Sequence, residues 1–325
     1  MNIPGRIRRC LPVINVLTAE TSGTPGSQRF FMYMNHLYTA EDSVLRPLVN
    51  FMNNQNKQIL LINDICGYGK VALSAMIPIL TNMGYHIYNL PTALVSNTLE
   101  YGKFRIQDTT DYMRDSIKVW QELGFSFDTI STGLITSSVQ ADLLIDFCGA
   151  EAKKGVLIFV DPIMADNGSL YNGMTMETVA NMKRLLQVAY CTVPNYTEAV
   201  YLTDSVYKDD LTQAEVYELI DKLRALGAKS VVITSCHVDG SEAVAGYSDE
   251  QKEYFVLPYV SVPVFLPGTG DIFLSVLMGQ VLQGKFLKAS VAKSMEIVKR
   301  MVLRNKDNAD KFKGIRIEAC LDVLQ

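Results

Sequence analysis

From Gln58 onward the sequence keeps switching its hydrophobic period, and this alternation limits the possible folds more than any other feature. Gln58–Ile62, His86–Asn89, Thr129–Ile135, Val156–Val160, Cys191–Val193 and Ser230–Ile233 are short apolar runs that read as strands. Between them lie stretches of helical character: Val71–Met83 with Pro78 as an internal kink, Asp108–Leu123, Ser137–Phe147, Met174–Val188 and Leu211–Leu226. Asp108–Leu123 places Met113, Ile117, Trp120 and Leu123 on one face, and Gly227 stops the helix that ends at Leu226. Val156–Val160 is apolar without alternation, as a strand covered on both faces must be. Strands that alternate with helices in this way predict a mostly parallel sheet with helices on both faces. Glu242–Tyr247 and Tyr254–Val260 flank a polar turn and read as an antiparallel hairpin at one edge, and Lys288–Arg304 reads as a closing helix.

The chain has 325 residues, 48% of them apolar, enough to bury a sizeable core. With no internal repeat and no second linker, residues 58–325 read as one domain and residues 1–57 as an N-terminal extension. Arg6, Arg8 and Arg9 precede the first acid, Glu20, and Thr21–Gly26 is loop-like. Thr39–Asn50 is expected to be a short helix capped by Thr39, with Asp42 three residues on and Pro47 disturbing its end. Basic, acid-poor starts occur in transit peptides, but a partly disordered tail or an upstream start codon is the reading preferred here.

A net charge of −4 argues against nucleic-acid and membrane-surface binding, while still allowing a nucleotide held by backbone amides and a metal. The apolar runs are far too short to span a bilayer. Six irregularly spaced cysteines, at 10, 66, 148, 191, 236 and 320, form no Cys-x-x-Cys pair, which speaks against a zinc cage and fits a reduced, cytoplasmic setting. With only three histidines, His36, His86 and His237, histidine-centred catalysis is a poor expectation.

In open α/β sheets, ligands bind at the carboxyl ends of the strands. The polar residues that follow the apolar runs are therefore informative: Asn63 and Asp64, Asp161, Asn195, and Thr234 with Ser235. The same rim should receive Leu266–Ser275, in which Gly268-Thr269-Gly270-Asp271 precedes an apolar helix-like run ending at Gly284. A helix beginning there aims its free N–H groups and positive dipole end at an anion, and glycine lets that anion approach closely. Asp271 in the first turn can take a proton from an alcohol while the amides hold charge developing on a moving phosphoryl group. Each residue alone has an ordinary explanation: a dipole-complementing Asp271, a strand-ending Asp161-Pro162 turn, an Asn195–Glu198 capping box, a turn at Thr234-Ser235. Their convergence on one rim favours an active site.

These residues also carry a resemblance. Asn63–Ser74, Ser96-Asn97 with Tyr101-Gly102-Lys103, Val160–Met164, Pro194–Glu198, Val232–Ser235 and Gly268–Asp271 resemble, in order and with fitting gaps over roughly residues 58–305, the pyridoxal/pyridoxamine kinases of the ribokinase-like superfamily. Hydroxymethylpyrimidine kinases are close relatives of that family. The resemblance implies a ribokinase-like three-layer α/β sandwich that uses ATP and magnesium, with potassium a further candidate ion, to phosphorylate the 5'-hydroxymethyl group of a B6 vitamer. Asp271 matches the general base, and Gly268, Thr269 and Gly270 match the anion hole. Asp161 and Asp166 match the acidic pair near the phosphates. Asn195 and Glu198 match the motif that organises magnesium, with Asp161 and Glu198 acting largely through water. Thr234 and Ser235 match nucleotide contacts, Asp64 a contact to the substrate ring, and Tyr171 the flap. A homodimer, with no nucleic-acid or membrane partner, is also implied.

Departures from the family pattern concern the ring. Val95-Ser96-Asn97-Thr98-Leu99 stands where many B6 kinases have Phe-Ser-Asn-His-Thr, Leu134 stands where some relatives have tyrosine, and Asp64 replaces a serine. Val95, Ser96, Leu99 and Leu134 should therefore line a more apolar substrate pocket, and Asp64 resembles the pyrimidine-kinase branch. The alternatives to a B6 kinase are a hydroxymethylpyrimidine or phosphomethylpyrimidine kinase, more distantly a sugar kinase, and, in another class, a catalytically silent ligand-binding protein.

Overall fold

The computed structural model describes Asn54 and residues 56–324, so the loop Thr21–Gly26 and the helix expected over Thr39–Asn50 lie outside the described residues. The start of the described residues is tied in: the buried Asn54 side chain donates to the Met83 carbonyl at 2.8 Å, and Lys57 pairs with Asp128 at 2.9 Å.

In chain order the elements are β1 (Gln58–Cys66), α1 (Leu73–Asn82), β2 (His86–Val95), β3 (Ile106–Asp108), α2 (Thr110–Leu123), β4 (Thr129–Thr132), α3 (Ser138–Lys153) and β5 (Leu157–Val160). They continue with β6 (Ala165–Asp166), β7 (Ser169–Leu170), α4 (Met176–Leu185), β8 (Cys191–Thr192), α5 (Tyr196–Leu202), α6 (Gln213–Ala225) and β9 (Ser230–Val238). β10 (Ser241–Ser248), β11 (Glu253–Pro258), α7 (Thr269–Leu282) and α8 (Leu287–Asn305) complete the set. The helix ends follow local chemistry. Ser137, Thr175, Asn195 and Thr212 accept from backbone N–H groups as side-chain caps, and Gly124 closes α2 at φ 71°.

Nine strands form one sheet in the order β11-β10-β9-β8-β5-β4-β1-β2-β3. β2, β1, β4, β5, β8 and β9 run parallel, while β10 and β11 form the expected antiparallel hairpin at one edge and β3 pairs antiparallel with β2 at the other. The period-2 alternation of β1 sorts the core into two layers. Leu60 and Ile62 pack with residues of α2, α3, α4 and α6, including Ile117, Leu144, Met182 and Leu219. Ile59 and Leu61 point the other way, toward Leu73, Met76 and Leu80 of α1 and Phe273 and Leu277 of α7. A third cluster joins Ile79 and Val276 to Met301, Ile315, Ile317 and Val323, packing the C-terminal residues onto the outside of α1, α7 and α8.

Three expectations change. β1 does not stop at Ile62. It runs to Cys66 because Asn63, Ile65 and Cys66 keep pairing with Pro91, Leu94 and Val95, across a register shift between Asn63 and Ile65. The strand expected over His86–Asn89 consequently runs on to Val95, followed by a single tight turn at Leu99–Tyr101. On the side away from β1, Pro91 has no ladder partner to need its missing N–H, because β3 pairs only with Ala93–Val95. β9 also continues, to Val238, and the register with β10 shifts between Ile233 and Cys236. Thr234 and Ser235 are therefore a bulge inside a strand rather than the turn that ends it, and Ser235 carries φ 56°.

Candidate active site

The start of α7 is shaped by backbone crowding. Gly268 has φ 87°, and a Cβ there would lie 2.3 Å from the Lys70 carbonyl oxygen, so only glycine lets the two segments touch. Gly270 is open on the side where a Cβ would project, with nothing within 4 Å. The first-turn amides of Thr269, Gly270 and Asp271 have no intrahelical acceptor, and they sit at the positive end of a 14-residue helix.

Asp271 lies in that first turn and is buried. Its Oδ2 accepts the Ala72 N–H at 2.8 Å, while Oδ1 is buried with no partner. Burial pushes its carboxyl up to about 6, opposed by the Ala72 bond, which favours the charged form. Asp64 is also buried, and it sits within β1 rather than beyond it. Burial first, then the nearby Asp271 charge, push its carboxyl up to about 7. Asn63 beside it does not face the rim. Its Oδ1 accepts the Asp64 and Leu134 amides, both at 2.9 Å, pinning the end of β4 to β1, and Gly133 leaves it the room.

The nucleotide-side residues behave differently. Asn195 and Glu198 form the capping box of α5: Asn195 Oδ1 accepts the Glu198 N–H at 2.9 Å, and Glu198 Oε2 accepts the Asn195 N–H at 2.8 Å. Glu198 Oε1 takes the Met164 N–H at 3.1 Å, and Asn195 Nδ2 donates to the Ala165 carbonyl at 2.7 Å. The box thus clasps the segment leading into the β6–β7 hairpin. Asp161 is held well above the usual carboxylate range by burial, then by the charges of Glu198 and Asp271. Glu198 is raised as well by burial, while the backbone N–H groups on its oxygens pull the other way. The charges that raise Asp64, Asp161 and Glu198 are all carboxylates. Asp166 is raised by burial, and both its oxygens accept from Asn167. Tyr171 follows β7, its N–H on the Met164 carbonyl at 2.9 Å; its side chain is exposed, and partial desolvation with the charges of Glu198, Asp166, Asp161 and Glu100 raises its phenol.

The structure therefore brings Asp64 and Asp161 each within electrostatic reach of Asp271, with Glu198, Asp166 and Tyr171 on the Asp161 side. Val95 and Leu134 are buried at the ends of β2 and β4, and Leu99 is half-buried in its turn. Ser96 is not aimed at this group: its hydroxyl donates to Asn97 Oδ1 and accepts the Arg105 N–H across an exposed turn. Thr234 is tied by its N–H to the Pro194 carbonyl, and Ser235 stands exposed at the bulge. Two participants escaped sequence reasoning. Ala72 supplies the amide on Asp271 from φ 49°, a conformation an alanine rarely adopts. The Thr132 hydroxyl is buried without a partner where β4 ends, next to the carbonyl that accepts the Asp161 N–H. Among the described residues no cluster of three or more histidine, cysteine, aspartate or glutamate side chains could hold a metal ion by itself.

Comparison with known proteins bears on the fold and the family. The sequence model of the family described as phosphomethylpyrimidine kinase matches residues 67–315. A Bacteroides thetaiotaomicron protein, assigned by inference to the phosphomethylpyrimidine kinases and crystallised with pyridoxal, superposes with TM-score 0.77 at 35% identity, covering 82% of this chain and 95% of that one. Pyridoxal kinase from Lactobacillus plantarum superposes with TM-score 0.74 at 26% identity, over 83% of this chain and 96% of its own. The pyridoxine/pyridoxal/pyridoxamine kinase of Bordetella avium is 29% identical over 244 residues, 70% of this chain and 78% of that protein. The expected ribokinase-like α/β sandwich is thus the fold found. With this match over most of its length, and with its similarity to pyridoxal kinases, the chain belongs to the phosphomethylpyrimidine kinase family.

Proposed function

We propose that this chain phosphorylates the 5'-hydroxymethyl group of a B6 vitamer (pyridoxal, pyridoxamine or pyridoxine) with ATP, using Asp271 as the general base. The observation that carries this reading is Asp271 itself. One carboxylate oxygen is fixed by the Ala72 amide, and the other is buried and unpartnered at the head of α7. Its carboxyl, raised to about 6, is ionised at neutral pH yet basic enough to accept a proton.

Asp271 Oδ1 takes the hydroxyl proton as the substrate oxygen bonds to the γ-phosphorus. The bond from that phosphorus to the bridging oxygen breaks, and ADP leaves. The amides of Thr269, Gly270 and Asp271 hold charge on the transferring group, and Gly268 and Gly270 keep side chains out of its way. Magnesium fits the donors present: Asp161 and Glu198 are carboxylates without basic partners, Thr132 has a buried unpartnered hydroxyl, and this ion needs few protein ligands. Asp161 and Glu198 would hold it largely through water, and when bound it neutralises phosphate charge. Thr234 and Ser235 contact the nucleotide, Asp166 lies near its phosphates, and Tyr171 closes over it. Val95, Leu99 and Leu134 wall the ring, with Ser96 only framing their turn. Residues 58–325 act as one catalytic domain, in a cytoplasmic homodimer, with potassium as an additional ion.

The pyridoxal bound to the Bacteroides relative supports a B6 ring. A second reading, a hydroxymethylpyrimidine kinase, is favoured by Asp64, whose carboxylate suits an aminopyrimidine as well as an ammonium group, and by the family match. ADP release with magnesium, ATP and each of pyridoxal, pyridoxamine, pyridoxine and hydroxymethylpyrimidine decides between them. Turnover on a B6 vitamer is the expected result, and turnover on the pyrimidine alone moves the chain to the second reading. Tight vitamer binding without ADP makes it a silent binding protein.

A further inference from the structure

The Ala72 N–H that fixes Asp271 belongs to a short turn held from outside by the end of the chain. The Lys70 N–H donates to the Lys313 carbonyl at 2.9 Å, and Lys70 bridges to Gly314. Gly314 has φ 76° and ψ −159°, a region open in practice to glycine alone, and a Cβ there would stand 2.9 Å from the Pro267 oxygen and 3.1 Å from the Lys70 oxygen. The Lys70 carbonyl is therefore wedged between Gly314 and Gly268, with Lys70 two residues ahead of Ala72 and Gly268 three ahead of Asp271. Lys70 also pairs with Glu318.

The same segment grips the loop after β2. The buried Thr98 hydroxyl donates to the Phe312 carbonyl at 2.7 Å, and the Tyr101 hydroxyl donates to Asp310 at 2.6 Å. The Tyr101 ring meets Phe312 edge-on at 5.4 Å and Tyr68 at 6.0 Å, while the Lys313 ammonium lies 5.0 Å from the Tyr68 ring centre. The two gripped loops are joined to each other, with the Thr98 N–H on the Tyr68 carbonyl at 3.2 Å and Gly69 pressed on the Thr98 methyl.

We propose that Asp310–Gly314 is a positioning strap for phosphoryl transfer, setting the Asp271 carboxylate through Lys70–Ala72 with one arm and the Leu99 turn of the substrate pocket through Thr98 and Tyr101 with the other. This rests on the reading of Asp271 as the base. The two arms predict separate symptoms. Loosening the Gly314 arm withdraws the Ala72 N–H, which favours the charged carboxylate, so Asp271 holds its proton to higher pH. The groups facing Asp271 there are Asp64 and Cys66 of β1 and Asp161 after β5, none of which the strap touches. Loosening the Tyr101 arm disturbs the ring pocket and leaves the base alone.

The test compares Gly314→Ala and Tyr101→Phe with the unaltered full-length chain, by steady-state kinetics against pH and by NMR titration of carboxyl-labelled aspartate. Gly314→Ala should lower kcat tenfold or more, leave KM for ATP within twofold, and move the acid limb of kcat/KM and the Asp271 resonance to higher pH. Tyr101→Phe should raise KM for the vitamer several-fold with the acid limb unmoved. Variants that fold and leave kcat, both KM values and the Asp271 titration within twofold of the parent would overturn the strap. Should Gly314→Ala fail to fold, Tyr101→Phe with Thr98→Val decides: a raised vitamer KM supports the strap, and an unchanged one overturns it. If the parent turns over none of the four substrates, the catalytic reading fails by itself, and the Asp271 titration in Gly314→Ala still tests the strap.

Discussion

The Asn195–Glu198 pair and the Asp64–Asp271 pair sit on the same rim, with Asn195 half-buried and the other three buried, and differ in what their oxygens touch. Glu198 spends both oxygens on backbone N–H groups, and Asn195 spends its amide on the Glu198 N–H and the Ala165 carbonyl. Asp271 spends one oxygen on Ala72 and leaves the other bare, and the Asp64 carboxylate has no donor from another residue among the described residues. Satisfied polar groups build architecture; unsatisfied buried ones are held in reserve for a ligand, at a cost in stability. The contrast bears on the two readings that the sequence left open: Asn195 and Glu198 form a capping box, whereas Asp271 carries a buried oxygen that no hydrogen bond uses.

The largest effect expected from this contrast is in turnover. Asp271→Asn keeps the shape and an oxygen for Ala72 but removes the proton acceptor, so kcat should fall by roughly 10²–10⁴ with the fold intact by circular dichroism. Activity retained within tenfold would return Asp271 to a capping role.

Stability should respond in opposite senses on the two sides. Glu198→Ala strands two buried N–H groups and removes half of a capping box, which should cost about 1–3 kcal/mol in denaturant unfolding. Asp64→Asn should stabilise. The Asp64 carboxyl is raised from 3.8 to about 7, so its protonated form favours the fold: that contribution is complete below pH 3.8 and is lost as pH rises through 7. At pH 8 the neutral amide should gain on the order of 2–4 kcal/mol over the carboxylate, and near pH 4 almost nothing. Equal losses from both variants at pH 8 would erase the distinction between them.

The pH dependence of kcat/KM sharpens the same point. Asp271 must be ionised to act, so the rate should fall as pH drops through about 6, and the neighbouring Asp64, near 7, should draw the apparent limb upward as one coupled titration. Asp64→Asn should leave a single limb near 6. A limb that stays in place would mean the two carboxylates do not sense each other.

Much of the rim is legible in the amino-acid sequence, because each apolar run of a parallel sheet delivers its next polar residue to the same edge. That reasoning reaches Asp161, Asn195 and the Gly268–Asp271 turn. It fails where pairing outruns local composition. The polar Asn63 and Asp64 read as residues beyond the end of a strand, but β2 continues to offer partners on either side of the register shift, so they are strand, and Asn63 is a pin for Leu134. Ala72 carries no signal at all: its contribution is a backbone N–H made available by φ 49°, which no side-chain pattern records. The strap over Lys70 is equally silent, since it depends on contacts between positions more than two hundred residues apart, such as Thr98 with Phe312 at a separation of 214.

The smallest effect expected is also the one that most directly probes what an unpartnered buried atom means. The Thr132 hydroxyl lies at the end of β4, on the residue whose carbonyl takes the Asp161 N–H, and it has no partner. Thr132→Val removes that hydroxyl at nearly constant volume, so nothing in the core is left empty, and a buried oxygen that had been stripped of water without compensation is gone. Stability should therefore hold or rise by up to about 1 kcal/mol in denaturant unfolding. If the hydroxyl instead serves the nucleotide and its magnesium beside Asp161, the same variant should raise KM for ATP several-fold while kcat with the vitamer at saturating ATP stays within twofold. A gain in stability together with a loss of nucleotide affinity is the signature that separates an atom kept for a ligand from a packing flaw, and a gain in stability with unchanged KM would place Thr132 among the flaws.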